Sequence, residues 1–243
     1  MKSGLRAFLV FLAAFSLCSA ARATTSSWSY ENRKIFSSGF HIGSACMMPV
    51  EGSLTKISMK GGEGMTGAAD TWSTTLQSLV EKHSTTAGVQ LLSASDALSS
   101  GASGDELRQV LLEVKQKYDT IAAQLDKKPK AIDKERYTLG DEVALLPCSA
   151  KSDVLVFVQA EGDVLTNGKK AMGWLVTGQA FSSATLVLTM ADAKTGEILA
   201  FIRLVAVGDF LNDAEKAFGV SLDRQLKRLK IGTIPVKAEN QDH

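Results

Sequence analysis

The stretch that decides the fold is Val154-Leu-Val-Phe-Val158, five consecutive apolar residues. A run without a polar break predicts a central strand that is buried on both faces of a sheet. Later in the chain, residues 185–190 and 197–207 are also apolar, and Asp192-Ala-Lys-Thr-Gly196 lies between them. The glycine supplies the positive φ that a tight turn needs, so these segments predict an antiparallel hairpin.

Helical patterns occur between these strands. The clearest begins at Ser103 and Glu106, which form a capping box, and its apolar residues recur every three or four positions until Pro129 ends it. The remaining pattern predicts strands at 40–50, 54–60 and 89–92, a glycine-rich loop at 61–67, and helices at 70–83, 138–146 and 212–230. This alternation predicts the α/β class, as a single domain with a central mixed β-sheet, helices packed on it and a late antiparallel hairpin.

The first 23 residues have the three parts of a cleavable signal peptide. Lys2 and Arg6 form a basic start, residues 7–17 are apolar, and Ala21-Arg-Ala23 is a small-x-small cleavage site. The apolar stretch is shorter than the about 20 residues that span a bilayer. We therefore expect export, cleavage after Ala23, and a periplasmic or outer-envelope location.

Cys18 raises the alternative of lipoprotein processing, which needs a small residue just before the cysteine. Leu17 stands there instead, which favours the ordinary signal peptidase. Residues 28–36 could form a short edge strand within an otherwise flexible lead-in. The predicted organisation is a signal peptide at 1–23, a flexible lead-in at 24–38, one α/β envelope domain at 39–232 and a flexible tail at 233–243.

Charge and hydropathy argue against nucleic-acid binding and against a transmembrane span in the mature chain. The whole chain carries 27 Lys and Arg against 26 Asp and Glu, and cleavage would remove three of those cations, leaving a net charge of about −2. A near-neutral protein has no electrostatic basis for binding nucleic acid. After the signal peptide no stretch is long and apolar enough to predict a transmembrane span.

Cys46 and Cys148 are the two cysteines of the mature chain. In an oxidising compartment they can form a disulfide, and the alternative is two buried thiols that behave as small apolar side chains. The spacing of two cysteines does not decide between these alternatives.

The catalytic and cofactor motifs are incomplete. Gly62-x-Gly64-x-x-Gly67 matches the dinucleotide fingerprint, but residues 54–60 are too polar for its buried first strand, and the acidic residue that follows, Glu81, falls within the predicted helix. Cys46 and His83 lack a third group that would orient them. No zinc pattern and no G-x-S-x-G sequence occurs. We therefore expect a protein that is not an enzyme and binds no cofactor or metal.

The segment from Lys169 to Phe181 is the candidate interaction surface. It combines two cations with a compact apolar run, and the residues assigned to the surface are Lys169, Lys170, Met172, Trp174, Leu175 and Phe181. A connection between strands usually lies on the surface and is polar, so an apolar one indicates an interface for a partner or a membrane. Ordinary packing against the sheet is the alternative, and the pattern does not decide between helix and strand.

The hairpin Leu186-Val-Leu-Thr-Met-Ala-Asp-Ala-Lys-Thr-Gly-Glu-Ile-Leu-Ala-Phe201 resembles a hairpin of the group formed by the curli-export lipoprotein and the peptidoglycan-synthase-activator lipoproteins. The apolar strand after a Leu-Gly-Asp segment and the early Met47-Met-Pro-Val50 are also similar. The resemblance implies an α/β fold like the amino-terminal domain of TolB and an accessory or scaffolding role, with no catalytic residues. This chain departs from the group in lacking the lipobox and in having Ala200 where an aromatic residue is common.

These observations predict an exported, non-catalytic envelope accessory protein that acts through protein–protein interaction, with another envelope protein as its partner and peripheral membrane contact as the alternative. A small-molecule or lipid carrier is the first rival, and it would need an internal apolar cavity. An unrecognised hydrolase is the second, and it would need a cleft where cysteine, histidine and acidic groups converge.

Overall fold

Strand β6 (Val154–Leu165) is the central strand of the fold, and it contains the apolar run at 154–158. The structure is a computed structural model that describes residues 24–37, 40–94, 104–177 and 180–229. The other strands are β1 (Thr24–Glu31), β2 (Ser44–Met47), β3 (Glu51–Ser58), β4 (Gly61–Gly64), β5 (Gln90–Ser93), β7 (Ser183–Asp192) and β8 (Ile198–Val207).

Within the described ranges, four α-helices accompany the strands: α1 (Thr66–Thr86), α2 (Gly104–Lys127), α3 (Asn167–Thr177) and α4 (Val220–Arg228). A π-helical turn at Glu215–Gly219 leads directly into α4. Short 3-10 helices lie at Arg33–Phe36, Pro129–Asp133, Asp141–Leu145 and Ser149–Lys151.

All eight strands belong to one mixed sheet, in the order β1-β8-β7-β6-β2-β5. The first part of β6 pairs with β2 and its later part with β3, both in parallel, and β4 pairs with β3 in an antiparallel hairpin. On the other side of β6, strands β7, β8 and β1 follow in antiparallel pairs. The predicted α/β class, with a mixed sheet and a late antiparallel hairpin, is confirmed.

Each face of the sheet is covered by helices. Val154, Val156 and Val158 face a core that includes α1 and the turn before α4, whereas Leu155 and Phe157 face α2. On the first face Trp72 packs edge-on against Phe210, with 5.3 Å between ring centroids, and on the second face Tyr118 stacks on Phe157 at 4.2 Å. Side chains of β6 alternate between faces, so an all-apolar strand needs a core on each side.

The turn of the late hairpin is held by Asp192. Its carboxylate accepts hydrogen bonds from the backbone N–H groups of Lys194 and Thr195, both at 3.0 Å, and from Lys34 Nζ at 2.7 Å. Gly196 has a φ of 67°, and a Cβ there would lie 2.8 Å from the Gly140 carbonyl oxygen. The glycine is therefore required both by the turn and by the close approach of a second loop.

Two sequence predictions are wrong in this part of the chain. The lead-in at 24–38 is not flexible over its first half, because β1 pairs along the free edge of β8 from Thr24 to Glu31. The short edge strand suggested at 28–36 overlaps β1 only at residues 28–31, and a 3-10 helix follows at Arg33–Phe36. The glycine-rich loop at 61–67 contains β4, whose backbone pairs with β3 in spite of having almost no side chains. Both strands form because their backbones pair with another strand, β8 for β1 and β3 for β4. The pattern of residue types does not reveal such pairing.

Other elements differ in detail. The helix predicted at 138–146 is a short 3-10 helix, and the last helix begins as a π turn. Within α2, Val114, Tyr118 and Leu125 are buried, whereas Leu111 is only half-buried. The signal peptide, the capping residue Ser103 and the tail at 233–243 lie outside the described residues.

Candidate docking surface

Helix α3 connects the end of β6 to the start of β7. Thr166 precedes it, and this residue accepts a hydrogen bond from the Lys169 N–H on its side chain and from the Lys170 N–H on its carbonyl oxygen. The Thr166 N–H donates to the Ile57 carbonyl oxygen, which places the start of α3 beside the end of β3. The segment that the sequence left open between helix and strand is therefore a capped helix.

The described side chains of α3 lie outside the core. Residues 167–172 and 174–176 are exposed, and Gly173 is partly covered. Trp174 is 63% exposed, Leu175 74% and Val176 76%. Three consecutive apolar side chains exposed to this degree are unusual in a folded protein, because an isolated apolar residue at the surface is common but a contiguous patch marks an interface.

We define the α3 surface as Lys169, Lys170, Met172, Trp174, Leu175, Val176 and Phe181. The sequence predicted six of these residues, and the structure shows all of them exposed. Val176 was missed, although it continues the apolar run after Leu175. Met59, also missed, is 60% exposed in the turn between β3 and β4, beside the strand end that receives the Thr166 hydrogen bond.

The α3 surface lies at the end of the sheet where the described chain begins. The register pairs Thr24 with Val207, Val207 with Ser183, and Ser183 with Asp163, near the end of β6. One row across the sheet therefore joins the first residue of β1 to the strand that leads into α3.

A second candidate site is a small apolar cavity of about 150 Å³ between α2 and the sheet. Leu111, Leu112, Tyr118 and Phe157 are among the residues that line it, and its rim is polar. The rim groups bond one another: Lys115 Nζ contacts Glu51 Oε1 at 3.0 Å, and Gln159 Nε2 donates to Glu51 at 3.2 Å and to Asp119 at 3.1 Å.

The electrostatics of this rim follow from those contacts. Partial burial lowers the pKa of Lys115, but hydrogen bonds to Asp119 and Glu51 outweigh that effect, so its pKa lies above the usual value. The ammonium is therefore held in its charged form by two carboxylates. These rim groups already bond each other, so the cavity offers an apolar lining and little means of orienting a polar ligand.

The cysteine and histidine candidates do not come together. Cys46 and Cys148 form a disulfide, with their Cα atoms 5.6 Å apart, so neither is a free thiol. Cys46 belongs to the core on the α2 face, whereas His83 lies on α1, which covers the opposite face. There His83 Nε2 is 3.2 Å from Glu215, which also pairs with Lys82 at 3.1 Å.

The glycine motif does not form a phosphate cradle. Gly62 and Gly64 are exposed in β4, and Gly67 is already within α1. A Cβ on Gly64 or Gly67 would meet no atom within 4 Å, so no close backbone approach requires glycine there. Among the residues that the structure describes, no group of three or more His, Cys, Asp or Glu could hold a metal ion. None of the helices in the described ranges has the length and apolar character needed to cross a membrane.

No family model and no curated protein matches this chain. Solved structures that are similar to it include two forms of one protein. They are a PelC dodecamer from Paraburkholderia phytofirmans and a single-residue variant of it, with sequence identities of 8% and 7% and TM-scores of 0.42 and 0.37. Each match covers 86% of this chain and 99% of the other. They come from PelC rather than from the lipoprotein group that the hairpin resembles, and likeness at this level carries no argument about function.

Proposed function

We propose that this chain is an exported, non-catalytic accessory protein of the bacterial envelope that acts by docking through the α3 surface. The observation that supports this role is the consecutive exposure of Trp174, Leu175 and Val176 on a helix that its own sheet does not cover. The sequence predicted another envelope protein as the partner, with peripheral membrane contact as the alternative.

The energetics favour an occupant for this surface. Complete burial of a side chain such as leucine or valine contributes about 1.5–3 kcal/mol. Because the three residues are about two-thirds to three-quarters exposed, covering them would contribute about 3–6 kcal/mol in total before the cost of association. This gain is comparable to the lower end of the cost of association, about 4–15 kcal/mol, so a complex would also need the contacts that Met172, Phe181 and the two lysines can add.

Two features support export. Residues 1–23 have the pattern of a signal peptide. The Cys46–Cys148 disulfide joins residues 102 positions apart, and such bonds persist in oxidising compartments such as the periplasm.

The rival functions have less support. A carrier would need a mostly apolar pocket of about 300–1,000 Å³. The apolar cavity beside α2 measures about 150 Å³, and a cleft of about 300 Å³ on the same face has Asp119, Asp126, Glu161 and Arg203 in its lining. A thiol hydrolase would need a free cysteine near His83, whereas Cys46 is bonded to Cys148 on the other face of the sheet.

Photo-crosslinking in the envelope tests the proposal. A photoreactive residue at Leu175 of the exported protein should form adducts, and the same residue at Leu145 is the matched control. Leu145 is 65% exposed, close to the 74% of Leu175, but lies in the segment that leads into the other end of β6. Adducts at Leu175 no more abundant than at Leu145 would show that the docking proposal is wrong. Failure of the protein to reach the envelope fraction with Thr24 at its N-terminus would show the same for export.

A further inference from the structure

We infer that the occupant of the α3 surface is a lipid bilayer, and that α3 inserts its apolar half into the boundary between anionic headgroups and acyl chains. This inference rests on the proposed docking role and names its partner. The first argument is the distribution of apolar side chains around the helix. Successive residues turn by about 100°, so Trp174, Leu175 and Val176 point about 200°, 300° and 40° away from Met172 around the axis.

The apolar side chains of α3 therefore cover an arc of about 200° around the axis, and Lys169 and Lys170, at about 60° and 160° on the same scale, lie in the remaining sector. A helix that docks in a protein groove presents one apolar stripe and keeps a polar face toward water. An apolar arc about twice as wide as the usual stripe of about 100°, with lysines in the remaining sector, is instead suited to a helix that lies in the interface of a bilayer. Trp174 adds to this argument, since an indole places its ring in the apolar layer and its N–H among headgroups.

The charges at the start of α3 support the same occupant. Lys169 and Lys170 are exposed in its first turn, and Lys60 is exposed in the β3–β4 turn next to Met59. Cations at a helix N-terminus oppose the helix dipole, so these lysines do not serve the stability of α3. Their stems can cover apolar surface while the ammonium groups reach anionic headgroups. Glu63, exposed in that hairpin, and Asp163, exposed near the end of β6, are negative charges at the same end, whereas Lys56, exposed on β3, adds a positive one.

The direction in which the chain enters the domain is the third argument. Thr24 lies on the row of the sheet that ends next to α3, and the residues before it include the apolar stretch at 7–17. The end of the sheet that carries Thr24 is therefore the end joined to the expected signal peptide until cleavage after Ala23. Met59 and Phe181, 60% and 47% exposed, extend the apolar area at the same end.

Sedimentation with lipid vesicles tests the inference on the mature chain, residues 24–243. We expect binding to vesicles of phosphatidylethanolamine and phosphatidylglycerol and much less binding to phosphatidylcholine alone. The variant Trp174→Ala/Leu175→Ser should bind these vesicles with an affinity at least about tenfold lower. The control Leu145→Ser, which removes an equally exposed leucine elsewhere, should bind like the wild type. Lys169→Gln/Lys170→Gln should reduce the preference for anionic vesicles and its dependence on salt.

A fluorescence measurement keeps the test valid if a variant folds poorly. The emission of Trp174, obtained as the difference between wild type and Trp174→Phe, should shift to shorter wavelength when anionic vesicles are added. The signals of Trp28 and Trp72 cancel in this difference. An unshifted Trp174 emission, or vesicle binding that is the same for wild type and Trp174→Ala/Leu175→Ser, would overturn the membrane inference.

The remaining outcomes separate the inference from the proposed function. Leu175 photo-adducts whose mass is that of a protein, together with no vesicle binding, would overturn the membrane inference and leave docking through α3 intact. A dimer that dissociates on Trp174→Ala would identify a second copy of the chain as the occupant. That result would also overturn the membrane inference and leave docking through α3 intact. If neither adducts nor vesicle binding depend on α3, both the inference and the docking proposal are wrong.

Discussion

The disulfide between Cys46 and Cys148 should supply a large part of the stability of this domain. It connects β2, inside the sheet, to the segment just before β6, and its cysteines are 102 positions apart. In the chain-entropy description, closing a loop of about 100 residues removes about 4.7 kcal/mol of conformational freedom from the unfolded chain at 25 °C. We therefore expect reduction to lower the free energy of unfolding by about 3–5 kcal/mol.

Urea unfolding followed by circular dichroism measures this effect. The protein should be unfolded, reduced and refolded with reductant present, because Cys46 is buried and native reduction would be slow. With a slope of about 2 kcal/mol/M, the midpoint should fall by about 2 M. The double variant Cys46→Ala/Cys148→Ala is the control and should show no response to reductant. A midpoint that moves by less than about 0.5 M on reduction of the wild type would refute the reasoning.

Three further predictions concern the core, a close packing contact and a charge. Leu125→Ala, at a fully buried position of α2, should lower the free energy of unfolding by about 2–5 kcal/mol. Leu111→Ala, at a half-buried position, should lower it by clearly less. Equal effects of the two variants in urea unfolding would contradict the assigned burial. Gly162→Ala should cost about 1–3 kcal/mol because its Cβ would come within 2.7 Å of a leucine methyl carbon, whereas Gly64→Ala, with open space around it, should leave the thermal midpoint unchanged. Burial raises the pKa of Asp192, but the lysine and backbone donors that bind it outweigh burial and lower the pKa. The stabilisation by the ionised carboxylate is therefore complete above about pH 4 and is lost as the pH falls through the lowered pKa. The difference in unfolding free energy between wild type and Asp192→Asn should become smaller in acid, and a larger difference in acid would contradict this prediction.

Much of the architecture could be predicted from local pattern. The apolar run at 154–158 predicted a strand covered on both faces, and β6 is covered by α1 on one side and α2 on the other. The turn around Gly196 was predictable because glycine is the residue type that most readily adopts the positive φ that such a turn needs. Strand β1 was not predictable to the same degree, because its Ser- and Thr-rich sequence acquires its conformation from the free edge of β8.

For the candidate site, too, some properties could be predicted from the sequence and others could not. The composition of the segment from Lys169 to Phe181 indicated an interface, because apolar residues in a connection between strands have no local reason to be there. The sequence did not determine whether Trp174 was exposed or whether the segment was a helix. Thr166, which caps α3 and bonds the end of β3, fixes where the helix starts, and the exposure of Trp174 follows from the packing of the whole fold.

The sequence by itself therefore determined which segments are apolar and where turns can form, since periodicity and backbone preference act over a few residues. Tertiary structure decided that Cys46 meets Cys148 across 102 positions and that Ile57, two residues before Met59, bonds Thr166 at the start of α3. It also decided that Thr24, the first described residue, lies at the same end of the sheet as the strand that leads into α3. These are relations between distant residues, and they exist only once strand pairing has chosen a register.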